Sequence, residues 1–477
     1  LKEDIIMCTN CKCGLDKPQD ECGVFGIYSN DVQDLARTMY YGLYALQHRG
    51  QESCGIAVTH GLEISYYKNL GLVNEVFNEE IMQGLPQGDI ALGHVRYSSK
   101  GLKNAVNAQP VVYTGRFGMF ALAMNGKITN ANILREQLIE QGVTFQTNID
   151  CEVIANLLNV NTVDGVCDIA KAMNMLEGSF ALGLMTANKL YAIRDRYGLR
   201  PMVVGQGADG YFISSESCGL DAIGVDLIRD VAPGEILSIS SKGLESEFFA
   251  KAERRPCIFE YVYTARADSY IDNRSVYEAR YDCGRCLARK LKLKADIVAG
   301  VPDSANVAAR GYAAESGIPY IDVLEKNRYV GRTFIQPNQF MRENSVKIKL
   351  NPHKHNIQGK EIILIDDSIV RGTTSKKIVD LLKKNGAKAV HMVIASPIVK
   401  HPCYTGIDIE TYEELIGATR NADEIGKIIG ADSLHFMDVE DLIASCSSGE
   451  YNTFCAACFD GKYPDDIENK LRKRKEI

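Results

Sequence analysis

No apolar run in this 477-residue chain approaches the roughly 20 residues that a membrane-crossing helix needs, so a helical membrane protein is not expected. Residues Leu1 to Met7 carry Lys2, Glu3 and Asp4 and no long apolar segment. A secretory signal is therefore not expected, and the expected location is the cytoplasm. An excess of basic charge is also lacking. Lys plus Arg number 54 against 61 Asp plus Glu, a net charge of −7, which argues against sequence-independent nucleic-acid binding. A local basic pocket stays open. There is no internal repeat and no low-complexity block. With 45% hydrophobic and 24% charged residues, the composition excludes disordered and collagen-like chains. A disulfide framework is not expected either. The 15 cysteines are odd in number and unevenly scattered, and read as cytosolic thiols, metal ligands or a nucleophile. The first residue is Leu, which points to an alternative start codon or a trimmed chain.

At roughly 150 residues per domain, the length allows about three units. From Cys22 to about Ser240 the texture is of short β-like runs, among them Cys22–Ser29, Gly55–Val58, Asp89–His94, Phe117–Met124 and Ala181–Thr186. Helical stretches interrupt them at Asp31–Leu46, Asn130–Glu140 and Glu152–Leu158. Period-two runs separated by Gly and Asn turns predict packed antiparallel sheets. From about Arg255 to Ser396 strands and helices alternate: Ala295–Val301, Ser304–Ser316, Pro319–Leu324, Glu361–Ile365, Ser375–Asn385 and Ala389–Ala395. That alternation predicts a parallel sheet with ligands at the carboxyl ends of its strands. The basic stretch from Lys326 to Ile357 is long enough to be a lid.

The most informative run is Ile362-Ile363-Leu364-Ile365-Asp366-Asp367-Ser368-Ile369-Val370-Arg371-Gly372-Thr373-Thr374-Ser375. A buried strand ends in two carboxylates, and a Ser/Gly/Thr loop opens a helix. The loop's N–H groups and the positive end of the helix dipole suit a phosphate. The carboxylates would repel that phosphate, and suit sugar hydroxyls or Mg²⁺. Together they describe a phosphorylated-sugar site. A Walker loop is excluded, because no Gly-Lys-Ser/Thr follows. The run resembles the phosphoribosyl pyrophosphate (PRPP) signature of phosphoribosyltransferases. The resemblance implies that Asp366 and Asp367 face the ribose, that Ser368, Arg371, Gly372, Thr373 and Thr374 hold the 5′-phosphate side, and that Ser304 joins the acid pair at Mg²⁺. Gly300-Val301-Pro302-Asp303-Ser304 resembles the family's diphosphate loop. Lys326, Tyr329 and Arg332 open a segment similar to its lid.

Asp20-Glu21-Cys22-Gly23-Val24-Phe25 places a thiol at the start of the first strand. Alone, such a cysteine is usually a small buried hydrophobe. With Gln47-His48-Arg49-Gly50-Gln51, Gly93-His94-Val95-Arg96-Tyr97, Asn125-Gly126 and Ile149-Asp150, the set is similar to class II glutamine amidotransferases. That resemblance implies an N-terminal nucleophile freed by removal of residues 1–21. A free α-amine titrates near 7.7–8.0 and can serve as base to its own thiol. Asn125 and Gly126 would form the oxyanion site. Arg49, Arg96 and Asp150 would bind glutamine, with Arg96 forked on its α-carboxylate and Asp150 accepting from the α-ammonium. His48 and His94 are expected to orient loops.

Both halves in one chain resemble the glutamine PRPP amidotransferase family, in its iron–sulfur branch. The implied fold is an α+β and α/β two-domain chain: an N-terminal nucleophile hydrolase αββα sandwich, then a type I phosphoribosyltransferase α/β domain with a parallel sheet. The expected divisions are a leader over 1–21, a glutaminase domain over 22–250, a phosphoribosyltransferase domain over 251–437 and a C-terminal segment over 438–477. The implied activity is transfer of glutamine nitrogen to PRPP, the first step of purine synthesis, with purine nucleotides as feedback inhibitors and a homo-oligomer, dimer or tetramer, as the assembly. A nucleobase phosphoribosyltransferase and a non-catalytic PRPP-sensing regulator are the rivals. The intact glutaminase half speaks against the first, and the net charge and absence of a DNA-binding motif against the second.

Three Cys-x-x-Cys pairs occur. Cys283 and Cys286 share an apolar helical face and are expected to be core thiols. Cys8, Cys11 and Cys13 precede the expected cleavage point. The resemblance assigns a [4Fe–4S] cluster to Cys257, Cys403, Cys455 and Cys458, while four sulfurs alone would also suit Zn²⁺.

Overall fold

The computed structural model describes residues 22–29, 34–97, 104–327, 350–409, 411–449, 451–464 and 467. The first half builds two antiparallel sheets. The seven-stranded sheet runs Asp226–Asp230, Val203–Gly207, Gly210–Ser214, Gly23–Ser29, Ile90–Arg96, Ser53–His60 and Glu63–Leu70 in spatial order. The six-stranded sheet runs Gly243–Phe248, Glu235–Ser240, Leu190–Arg194, Gly178–Thr186, Gly118–Ile128 and Val111–Gly115. Val24, Ala57 and Leu92 of one sheet pack on Ala121, Ala181, Leu190 and Leu237 of the other. The outer face of the seven-stranded sheet buries Phe25 and Ile27 under the helix Leu35–Ala45, through Leu35, Met39 and Leu43. The outer face of the six-stranded sheet buries Leu122 and Leu182 under Ala131–Glu140 and Asp150–Val160. Each sheet is thus apolar on both faces, which gives a four-layer αββα sandwich. It also explains why Gly23–Ser29 is buried at every position, with no alternation.

The second half is a parallel sheet in the order Ile297–Gly300, Glu361–Asp366, Ala389–Ile394, Ser433–Phe436. Helices Val276–Leu291, Asn306–Ser316 and Thr373–Lys384 cover it. The strand expected at Pro319–Leu324 makes only a bridge from Tyr320 to Val298. The ladder lies instead at Leu324–Lys326, paired antiparallel with Leu350–Pro352. Cys283 is buried in this core and Cys286 packs against it, as the helical face predicts.

The two halves meet through buried polar contacts. Ser179 Oγ donates to the Thr405 carbonyl at 2.6 Å, and Arg200 donates to the same oxygen at 2.6 Å. Tyr97 donates its hydroxyl to Asp408 at 3.2 Å.

Candidate active sites

Antiparallel register sets the first site. Gly23 lies opposite Val95 and Val24 opposite His94, so Cys22 sits beside the strand end that carries Arg96 and Tyr97. Its thiol donates to the Tyr97 carbonyl at 3.7 Å. His94 then joins the two sheets, its Nε2 bonding the Met124 carbonyl at 3.0 Å, one residue before Asn125. That cross-link ties the sheet that holds the strand after Cys22 to the Asn125-Gly126 strand. His94 is fully buried, and burial pushes its pKa down to about 3, with Arg96 and Lys68 adding repulsion. It is a neutral brace, not an acid or a base near pH 7.

Asn125 is 1% exposed, and its amide nitrogen has no hydrogen-bond partner among the described residues. A buried donor left unmade costs about 1–3 kcal/mol unless a ligand satisfies it. An oxyanion would do so. Gly126 follows at φ 139°, where a Cβ would stand 2.2 Å from the Ser179 carbonyl oxygen, so only glycine fits. Asp150 opens the helix Asp150–Val160 and accepts from the Ile128 backbone N–H at 2.9 Å, which places its carboxylate at the end of the same strand. Arg96 is 8% exposed.

Arg49, expected on the glutamine, is wholly buried. Its Nε donates to the Cys22 carbonyl at 3.1 Å, and its other nitrogens meet Glu216 and, at 3.0 and 3.2 Å, Glu260. Glu216 also takes His48 Nε2 at 2.7 Å and Ser269 Oγ at 2.6 Å. Burial alone would raise Glu216, yet His48 and Arg49 hold it well below the usual carboxylate range. Glu216, Glu260 and Tyr97 were not among the expected site residues. The signal for Glu260 was a lone carboxylate inside the apolar run Ile258–Val262.

In the second half, the buried strand Glu361–Asp366 delivers the acid pair at its carboxyl end. Asp366 and Asp367 are 0 and 2% exposed. Ser304 donates to Asp367, and Ser368 Oγ donates to the same carboxylate at 2.8 Å. Ser304 therefore stands against the acid pair. Gly372 turns left-handed at φ 79°, and the helix Thr373–Lys384 starts immediately after it. Thr373 and Thr374 thus occupy the positive end of a twelve-residue helix, a ready anion seat. Arg371 pairs with Glu414 at 3.1 Å, and Lys326 pairs with Asp303 of the Gly300–Ser304 loop. Tyr329 and Arg332 lie outside the described residues, as does the 1–21 segment with Cys8, Cys11 and Cys13.

Cys257, Cys403, Cys455 and Cys458 come from three segments to one place. Cys257 bridges Cys455, with Ile258 N donating to the Cys455 carbonyl at 3.1 Å. Lys400 and His401 donate backbone N–H groups to the Cys458 carbonyl. Burial pushes the Cys455 thiol up to about 12, and Cys403 adds to it. Cys458 is raised as well, first by burial and then by Cys257, Cys403 and Cys455. Among the described residues, no three or more His, Cys, Asp or Glu are gathered for a single metal ion.

Residues 94–222 match the glutamine amidotransferase domain family, and residues 279–412 match the phosphoribosyl transferase domain family. The chain is 45% identical over 477 residues to the amidophosphoribosyltransferase of Synechococcus elongatus, covering 98% of this chain and 96% of that one. The chain belongs to the amidophosphoribosyltransferase family. Its Archaeoglobus fulgidus member is 46% identical, over 94% of this chain and 98% of its own. Among solved structures, the glutamine PRPP amidotransferase from B. subtilis complexed with ADP and GMP superposes with a TM-score of 0.86 at 43% identity, over 93% of this chain and 97% of its own. A second, described as the allosteric regulatory enzyme of purine biosynthesis, gives 0.87 at 43% identity, over 93% and 96%. The αββα sandwich and the parallel-sheet domain are therefore the family's two halves in the family's order.

Proposed function

We infer that this chain hydrolyses glutamine at Cys22 and transfers the ammonia to PRPP, giving 5-phosphoribosylamine, glutamate and pyrophosphate, at the start of purine synthesis. The observation that carries the reading is the direct contact between the two sites' frames, where Tyr97 beside the nucleophile bonds Asp408 of the second half. The Cys22 thiol gives its proton to its own α-amine, and sulfur attacks the glutamine Cδ. The charge that develops on oxygen meets the Asn125 amide and the Gly126 N–H. Arg96 and Asp150 orient the substrate's carboxylate and ammonium. Ammonia leaves with the proton, a γ-glutamyl thioester remains on Cys22, and water releases glutamate. In the second half, the Thr373–Thr374 turn seats the 5′-phosphate, and Asp366 and Asp367 accept from the ribose hydroxyls. The nitrogen lone pair attacks C1 as the bond to pyrophosphate breaks.

Ser304 against two buried carboxylates suits a hard divalent cation. These residues would hold Mg²⁺, which when bound neutralises the leaving diphosphate. Four thiols brought together from three segments, Cys257 buried and Cys403, Cys455 and Cys458 partly so, suit a [4Fe–4S] cluster, whose corners spread its ligands more widely than one ion does. Its role in this reading is to fasten the 451–461 segment to Pro256–Ile258. Purine nucleotides as inhibitors, on the Ser368–Thr374 loop and at a second site near Ser304 and Lys326, and a homo-oligomeric assembly belong to the same reading. The test is pyrophosphate release from Mg-PRPP with glutamine or ammonia as nitrogen donor. The wild type should use both, and Cys22→Ala only ammonia. Equal loss of both in Cys22→Ala refutes the division of labour.

A further inference from the structure

We propose that Glu260, a residue of the second half, is a positioning residue for the nucleophile of the first. The inference rests on the assignment of Cys22 above. Once Cys22 is the first residue, nothing precedes it to hold it in place, and it lies outside the ladder that begins at Gly23. Its carbonyl is held by Arg49 Nε at 3.1 Å. Arg49 is in turn held across the boundary between the halves by Glu260, whose two oxygens take Arg49 Nη2 at 3.0 Å and Nη1 at 3.2 Å. This fork fixes the plane of the guanidinium, and with it the direction in which Nε points.

The surroundings leave the fork little play. Arg49 is 0% and Glu260 1% exposed. Glu216 takes the remaining edge of Arg49, and Arg200 reaches Glu260 Oε1 at 3.4 Å. Two guanidinium groups and two carboxylates thus form one buried cluster, in which no partner can turn to water. Glu260 is fastened from its own side. Its neighbour Tyr261 donates its hydroxyl to the Ile271 carbonyl at 2.6 Å and accepts Arg280 Nε on its carbonyl at 2.7 Å. The second half therefore sets where Arg49 points, and Arg49 sets where the Cys22 backbone, and hence its thiol and amine, stand. Glu260 touches no reacting atom.

Glu260→Gln keeps the shape but replaces one acceptor oxygen with a donor that opposes the guanidinium, so the fork opens. Glutamine kcat should fall about ten- to a hundred-fold, the scale of a nucleophile displaced by up to about an ångström. The glutamine KM should stay within about two-fold, because Arg96 and Asp150 are untouched. Ammonia-dependent use of PRPP should also stay within about two-fold, which a general loss of folding would not allow. Glu260→Asp keeps the charge with a shorter reach, and should recover part of the lost kcat. It carries the same readout if the Gln variant does not accumulate. Unchanged glutamine kcat in either variant overturns the inference, as does parallel loss of glutamine and ammonia activities. Cys22→Ala assayed alongside separates the failures. If it keeps glutamine turnover, the nucleophile is misassigned; if it loses turnover while Glu260→Gln keeps it, only Glu260's role falls.

Discussion

Acid should weaken the glutaminase half through one buried imidazole. His94 is fully buried between the two sheets, with Nε2 on the Met124 carbonyl at 3.0 Å and Nδ1 without a partner among the described residues. Burial chiefly, then Arg96 and Lys68, bring its pKa to about 3, against 6.5 for the ordinary side chain. The unfolded chain therefore binds a proton at His94 between about pH 6.5 and pH 3 that the folded chain refuses. Stability from this group is complete above the unfolded value and is lost as pH falls toward the folded one. At 1.36 kcal/mol per pH unit, lowering pH from 7 to 5 removes about 2 kcal/mol. The chain has no tryptophan, so far-UV circular dichroism in urea is the natural probe. His94→Gln cannot take up a proton, and should lose about 2 kcal/mol less than wild type over the same interval. Equal acid sensitivity in the two proteins would refute the reasoning.

Gly126→Ala should lower glutamine-dependent kcat about a hundred-fold, the scale of a lost oxyanion donor, while ammonia-dependent turnover persists. Its Cβ would press on the Ser179 carbonyl at 2.2 Å. Asp366→Asn with Asp367→Asn should cut PRPP turnover at least about ten-fold and spare glutamine hydrolysis measured alone, by the loss of charged hydrogen bonds. Unchanged PRPP kinetics would remove the acid pair from the sugar site. Anaerobically purified protein should be brown with about four irons per chain. Cys257→Ser, Cys403→Ser, Cys455→Ser and Cys458→Ser should each lose colour and melt earlier, whereas Cys283→Ser keeps the colour. One zinc per chain, or colour lost only with Cys283→Ser, would contradict the ligand set.

Local chemistry was the legible part of the sequence. The Ile362–Ser375 run carries its strand, its acid pair and its helix start within fourteen consecutive positions, so the local pattern already points to a phosphorylated sugar and the resemblance adds PRPP. The period-two runs likewise point to packed antiparallel sheets, while the αββα layering came from the family resemblance. What escaped was pairing between distant segments. Arg49 looks like a substrate ligand because a guanidinium near a nucleophile usually is one. Only the fold shows Glu216 and Glu260 closing on it from 167 and 211 residues away. His94 as a cross-sheet brace and Tyr97 as a contact to Asp408 are long-range facts of the same kind. The expected strand at Pro319–Leu324 failed for a related reason. Its apolar residues pack on the core, but its contact with the parallel sheet is a single bridge at Val298, and a ladder starts only at Leu324, against Pro352.

The account stands on Cys22 as a first residue whose own amine activates its thiol. The direct measurement is peptide mass mapping of active enzyme quenched during turnover of glutamine with Mg-PRPP. It should find a γ-glutamyl group on the sulfur of Cys22, in a peptide that begins at Cys22 with a free α-amine. A γ-glutamyl group on any other cysteine, or full glutamine activity in a chain that still joins Glu21 to Cys22, would contradict it.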